Sequence, residues 1–179
     1  RSTEIAPYNI AVLYPVIFIR RFTFKMKQIQ LTNSDEFFKI SDCDIEKIKG
    51  INWILAKRRA AKYVCGNIKG KQVLLHRSLL EISDRRNHVD HINRDGLDNT
   101  RENLRICSLS ENNRNKGVYK NNVSGIKGVS ALSNGKYMAR IVLDKKFVYL
   151  GCYKTAEEAS ERYNIAAKEL FGEYADTSL

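Results

Sequence analysis

The stretch HRSLLEISDRRNHVDHINRDGLDNTRENLRICSLSENNRNK, residues 76–116, decides how this chain is read. It opens with apolar residues at helical spacing over residues 76–82. Residues 87–92 read as a short strand, and a polar loop follows over residues 93–99. Ser108 and Glu111 form an S-x-x-E capping box, so a helix should begin there and carry Asn112 and Asn113. Within the segment Asp90-His91 is followed by Asn103-Leu104 and then by Glu111-Asn112-Asn113.

Upstream, residues 63–68 and 71–75 look like two short strands, with Lys69-Gly70 closing the hairpin between them. Residues 28–53 run from acidic to basic, with a short helix across residues 42–49. The apolar stretch of residues 10–19 is too short to span a bilayer and is interrupted by Pro15. Arg20 and Arg21 follow it, on the wrong side for a signal peptide. The first Met is Met26, and MKQIQLTNSDEFF reads as a conventional protein start. Residues 1–25 are therefore expected to be an upstream or non-native extension outside the fold.

Downstream, residues 114–125 are basic, Asn-rich and non-periodic, as a linker would be; its centre is residues 117–123. Three strands are expected next, over residues 127–132, 136–144 and 146–153, with Ser133-Asn134-Gly135 as a hairpin turn. A last helix starts at the Thr155-x-x-Glu158 capping box and stops at Gly172. Its Ala156, Ala159, Tyr163, Ala166, Ala167 and Leu170 share one face, which should pack on the sheet. Charge is segregated here: residues 121–153 hold five basic residues and one acid, residues 154–179 three basic and six acidic. A basic sheet backed by an acidic helix argues that the sheet meets phosphates.

With 179 residues the chain suits one ordinary domain or two small ones, and 43% hydrophobic residues exclude a disordered chain. The 31 Lys and Arg against 20 Asp and Glu give +11, a surplus that suits a polyanionic partner. Cys43, Cys65, Cys107 and Cys152 are scattered without a C-x-x-C pair, which excludes a zinc ribbon and favours free thiols in a reducing compartment. With no reliable targeting signal, the expectation is an intracellular protein, cytoplasmic or nucleoid, with no membrane association.

Phosphodiester hydrolysis needs a base for water, a cation for the developing charge, and something to hold the base. Histidine suits the first task because its pKa lies near neutrality. Asp and Asn oxygens suit a hard cation such as Mg²⁺. Asp90 and His91 can share a site only if their strand ends or bends there, since neighbours on a regular strand face opposite ways.

Taken together, LLHRSLLE, VDHINRDGLDNTRENLRICS and SENNRNK resemble the HNH nucleases, in the homing-endonuclease branch whose last motif residue is Asn. The resemblance runs from about Lys27 to Lys120 and implies a ββα-metal core, two strands, a loop and a helix around one divalent ion, Mg²⁺ or Mn²⁺. It implies His91 as the base, Asp90 and Asn112 as metal ligands, and Asn103 as the residue that pins the loop and orients His91. The implied products are a 5′ phosphate and a 3′ hydroxyl. His76 and Arg77 match the family's His-Arg pair, assigned to scaffold or phosphate contact.

Residues 124–175, with GIKGV, GKY, YLGCY, TAEEASERYNIAA and FGEYA, resemble the plant Apetala/ethylene-response-factor DNA-binding domain. That resemblance implies a three-stranded sheet laid in the major groove with the helix behind it. Positions matching the family's reading residues are Lys127, Ser130, Arg140, Val142, Phe147 and Tyr149; several are Arg or Trp in the plant proteins, which puts the plant target out of reach. Lys136, Lys145 and Lys146 join Lys127, Arg140 and Tyr149 as expected DNA contacts, with Arg77, Arg114, Lys116 and Lys120 tracking the backbone.

The expectation is thus an α+β chain: a nuclease domain over residues 26–116, the linker, and a DNA-binding domain over residues 124–176. Its expected function is metal-dependent cleavage of double-stranded DNA at a recognised site, as a homing or mobile-element nuclease of introns or phage. The alternative is a DNA-binding regulator with an inactive nuclease domain. No heptad or pairing surface is visible, so a monomer without an obligate protein partner is expected.

Overall fold

In the computed structural model, residues 25–58, 61–118 and 121–176 are described; the apolar stretch at residues 10–19, nearly all of the expected extension, and Lys120 lie outside them. The chain is α+β throughout, with small sheets and short helices. The strand β1 (Met26–Gln30) pairs antiparallel with β2 (Phe37–Ser41). A 3-10 turn (Asp42–Asp44) and the short α1 (Ile45–Ile48) follow, as the sequence suggests. Next come β3 (Ile54–Arg58), β4 (Ala61–Ile68) and β5 (Lys71–Leu74), an antiparallel sheet in that order. The turn expected at Lys69-Gly70 is present, with both residues at positive φ (51° and 77°) as a tight hairpin turn requires.

The helix α2 (Leu75–Leu79) is shorter than the spacing suggests, and residues 80–82 leave it through Glu81 at φ 56°. Then β6 (His88–His91) pairs antiparallel with β8 (Leu104–Cys107), and α3 (Leu109–Arg114) packs on both. Between them the two-residue β7 (Asp98–Asn99) runs parallel to β2, tying the polar loop to the first sheet. One core joins most of these elements: Phe38, Ile40, Trp53, Val64, Leu75 and Leu104 are buried in a single cluster. Strands β1 to β3 were not expected from sequence.

The last unit is β9 (Val129–Ala131), β10 (Tyr137–Leu143) and β11 (Lys146–Tyr153), an antiparallel sheet with β10 central, covered by α4 (Ala156–Phe171). The Thr155–Glu158 capping box is formed, satisfying the helix's first free N–H groups. On the sheet, Ala139 and Ile141 are buried against the helix while Arg140 and Val142 are exposed, as alternation demands. One helix position departs from expectation: Leu170 is 45% exposed, and Phe171 takes its place in the core. Tyr163, Ala166 and Ala167 complete that core.

Candidate functional site

The ends of β6 and α3 converge on a cavity of about 250 Å³ bordered by Tyr63, Asp90, His91, Arg94, Asn112 and Asn115. Strand β6 stops at His91, whose carbonyl accepts the Arg94 N–H at 2.9 Å, and Arg94 turns the chain with φ 64°. That break lets adjacent residues share one site. Asp90 and His91 are both buried, each 6% exposed.

Asp90 is held from two sides. Arg105, opposite it on β8, donates Nε and Nη2 to Asp90 Oδ2 at 2.9 and 2.6 Å. Asn115, at the C-cap of α3, donates its amide to Oδ1 and Oδ2 at 3.0 and 2.9 Å and to the His91 carbonyl at 2.9 Å. Sequence reading missed both residues. For Asn115 a signal existed: it lies three positions after Asn112, on the same helical face, but the Asn-rich run was taken as linker.

His91 packs edge-on to His76, with ring centroids 4.9 Å apart at 81°, and Tyr63 stands near both rings. Its Nε2 lies 3.3 Å from Asn99 Oδ1. The Asn99 amide nitrogen faces the Gly96 carbonyl, so its oxygen is an acceptor and the network puts the imidazole proton on Nε2. Nδ1 is then left with a lone pair. Burial holds the pKa of His91 below its usual value, opposed by the Asn99 hydrogen bond and the charges of Asp90, Asp95 and Asp98. Near pH 7 burial thus favours the neutral ring. His76 is driven down to about 3, chiefly by burial, and its Nδ1 has no partner among the described residues. It is a neutral wall behind His91.

Asn103 ties the two ends of the polar loop together. Its Oδ1 accepts the Asn93 N–H at 2.9 Å and its Nδ2 donates to the Asp98 carbonyl at 2.7 Å. Among the described residues the hydrogen-bond partner of the His91 ring is Asn99. Asn112 is half-buried and borders the cavity, whereas Asn113 is exposed.

The side chains expected at a DNA surface divide into two groups. Lys136, Arg140, Lys145, Lys146 and Tyr149 are exposed on the sheet of the last unit, and Lys116 is exposed beside the cavity. Arg77, Arg114 and Lys127 are engaged within the protein. Arg77 donates to the carbonyls of Ile82, Asp84 and Asn87. Arg114 lies over the Phe171 ring, 4.5 Å from its centroid. Lys127, with a side chain only 19% exposed, reaches the carbonyls of Arg114 and Lys116 and pairs with Asp176 at 3.5 Å.

These contacts dock the last unit onto the first. Arg94 pairs with buried Asp176 at 2.9 Å, and Arg105 donates Nη1 to the Glu173 carbonyl at 2.6 Å with Tyr174 4.3 Å beneath its guanidinium. All four cysteines are free. Among the described residues no helix is long and apolar enough to cross a membrane.

Among the described residues no three His, Cys, Asp or Glu side chains gather as a cation site, so the cavity offers a cation only the side-chain oxygens of Asp90 and Asn112. Among the described residues Asp90 Oδ1 accepts only the Asn115 amide, and the Asn112 amide makes no hydrogen bond. Both donors are oxygens, the type that Mg²⁺ takes alongside waters and substrate phosphate.

No family model matches the chain. It is similar to a protein of Acanthamoeba polyphaga mimivirus named an uncharacterized HNH endonuclease, 38% identical over 88 residues. The match covers 49% of this chain and 45% of that protein, so the chain spans less than half of its relative's length.

Proposed function

We propose that the chain is a metal-dependent DNA endonuclease of the HNH class, of the homing or mobile-element type, whose last unit binds double-stranded DNA. The observation that carries this reading is a buried His91 bordering one cavity with Asp90 and Asn112. The named mimivirus relative supports it independently, and so does the two-strand-and-helix arrangement of β6, β8 and α3, the shape implied for a ββα-metal core.

In this reading His91 takes a proton from water at Nδ1, with Nε2–H held by Asn99. Asp90, Asp95 and Asp98 favour the imidazolium that results, since their charges raise its pKa. Asp90 and Asn112 would hold Mg²⁺ or Mn²⁺. When bound, the cation would neutralise charge on the scissile phosphate and the departing 3′ oxygen; the water oxygen stays on phosphorus as part of the 5′ phosphate, and the 3′ oxygen takes a proton from solvent to leave as a 3′ hydroxyl. Asn103 fixes the loop that carries Asn99. The sheet of β9 to β11 meets the duplex through Lys136, Arg140, Lys145, Lys146 and Tyr149, and its acidic helix faces away.

One observation favours the alternative of a DNA-binding regulator: Arg105 already neutralises Asp90 and competes with a cation for Oδ2. Plasmid relaxation with Mg²⁺ or Mn²⁺ separates the two. Cleavage by wild type and none by His91→Ala supports the nuclease. If both proteins bind the plasmid and neither cuts any candidate target, the regulator takes its place.

A further inference from the structure

The outer face of the β9–β11 sheet is apolar at its centre and basic at its ends. Phe147 is 69% exposed, Tyr149 64% and Val142 50%. Register sets Val142 opposite Phe147 and Arg140 opposite Tyr149, in neighbouring rows away from α4. Alternation along β11 turns Leu150 into the core while Phe147 and Tyr149 stay outside, and the register shifts only beyond this point, between Ala139 and Arg140. A monomeric protein rarely leaves so many large apolar side chains together in water unless they meet a partner.

The surrounding charge identifies that partner as a duplex. Lys136 precedes β10, and Lys145 and Lys146 follow it, all exposed. The seven residues of β10 span roughly 20 Å, so cations stand at both ends of a distance that bridges a major groove about 12 Å wide. Phosphates would meet the ends and base edges the middle. Only thymine presents a methyl group there, the natural counterpart of an apolar side chain. Stacking on unpaired bases fits less well, because the Arg140 guanidinium already lies 4.7 Å from the Phe147 centroid and covers one ring face.

We infer that this face reads thymine in the major groove, with Val142 and Phe147 against C5 methyl groups. The inference rests on the proposed reading of the sheet as the DNA-binding surface. It is tested by selecting duplexes from a random pool with the full chain, then replacing thymines in the selected duplex one at a time with uracil. Uracil removes only the methyl, so affinity should fall about fourfold at the contacted positions, the factor set by about 0.8 kcal/mol per buried methyl-sized group. Phe147→Ser and Val142→Ser, substitutions at exposed positions, should each bind thymine and uracil duplexes equally at the position that side chain touches.

Three results would overturn it. A selected sequence whose affinity is indifferent to every uracil replacement removes the thymine reading and leaves DNA binding by the sheet intact. Tighter binding to the single strand than to its duplex assigns the face to base stacking instead. No selection at all, with residual binding abolished by 0.2 M salt in the manner of a merely basic protein, removes the reading of the sheet as a DNA-binding surface together with the inference.

Discussion

Arg105 grips Asp90 from the neighbouring strand and, through its remaining nitrogen, holds the carbonyl of Glu173 in the last unit. The pair is well shielded, with side chains 11% and 7% exposed. Removing one partner of such a pair strands a charge in a poorly solvated site, which typically costs about 3–5 kcal/mol. Arg105→Ala should lower stability by that order in urea denaturation. A loss under about 1 kcal/mol, the value of an exposed pair, would mean that Asp90 is solvated and the pair opens in solution.

Asn99 should act on the pH dependence of cleavage. Its hydrogen bond raises the pKa of His91 against the larger lowering by burial. The acid limb of the wild-type rate profile is therefore expected below pH 6.5, the unperturbed value for imidazole. Asn99→Ala should carry it to still lower pH. His91→Ala should reduce the rate by about 10²–10⁴, the usual contribution of a general base. An acid limb that rises or stays fixed in Asn99→Ala would show that Asn99 supports the loop without tuning the base.

Much of the fold was legible where its pieces are local. Capping boxes at Ser108 and Thr155 and the hairpin turn at Lys69-Gly70 depend on residues a few positions apart, and all three formed. What remained hidden depends on distant partners. Strand β2 carries Phe38 and Ile40 in a polar setting and is fixed by parallel pairing with Asp98-Asn99, some sixty residues on. Asn115 looks like linker until Asp90 is placed beside it. Lys127 looks like a DNA contact because a lysine's charge is visible in sequence and the carbonyls that capture it are not.

His76 and His91 should make the fold sensitive to mild acid. Both have folded-state pKa values below the unfolded value near 6.5, His76 at about 3. Below pH 6.5 the unfolded chain binds protons that the folded chain refuses. Their stabilising effect is thus complete above pH 6.5 and is lost as pH falls toward 3. Each group contributes a slope of up to about 1.4 kcal/mol per pH unit. His76→Phe should flatten the dependence of the urea midpoint between pH 7 and 5. An unchanged slope would mean that His76 is already protonated, or solvated, in the native protein.

Lys127 and Lys146 separate a structural cation from one proposed to meet DNA. Lys127 donates to two carbonyls and faces Asp176, and burial pulls its pKa down. Its charge has no route to a phosphate without undocking the last unit. Lys146 is exposed at the end of the sheet. Each phosphate contact releases about one counterion, so losing a contact reduces the slope of log affinity against log salt by about 1. Lys146→Met should do so at nearly unchanged stability. Lys127→Met should leave the slope alone and instead lower stability by about 1–3 kcal/mol, because the carbonyls and Asp176 lose a buried donor. A lowered slope in Lys127→Met, with stability kept, would show that this lysine swings out to DNA and that the docked arrangement opens on binding.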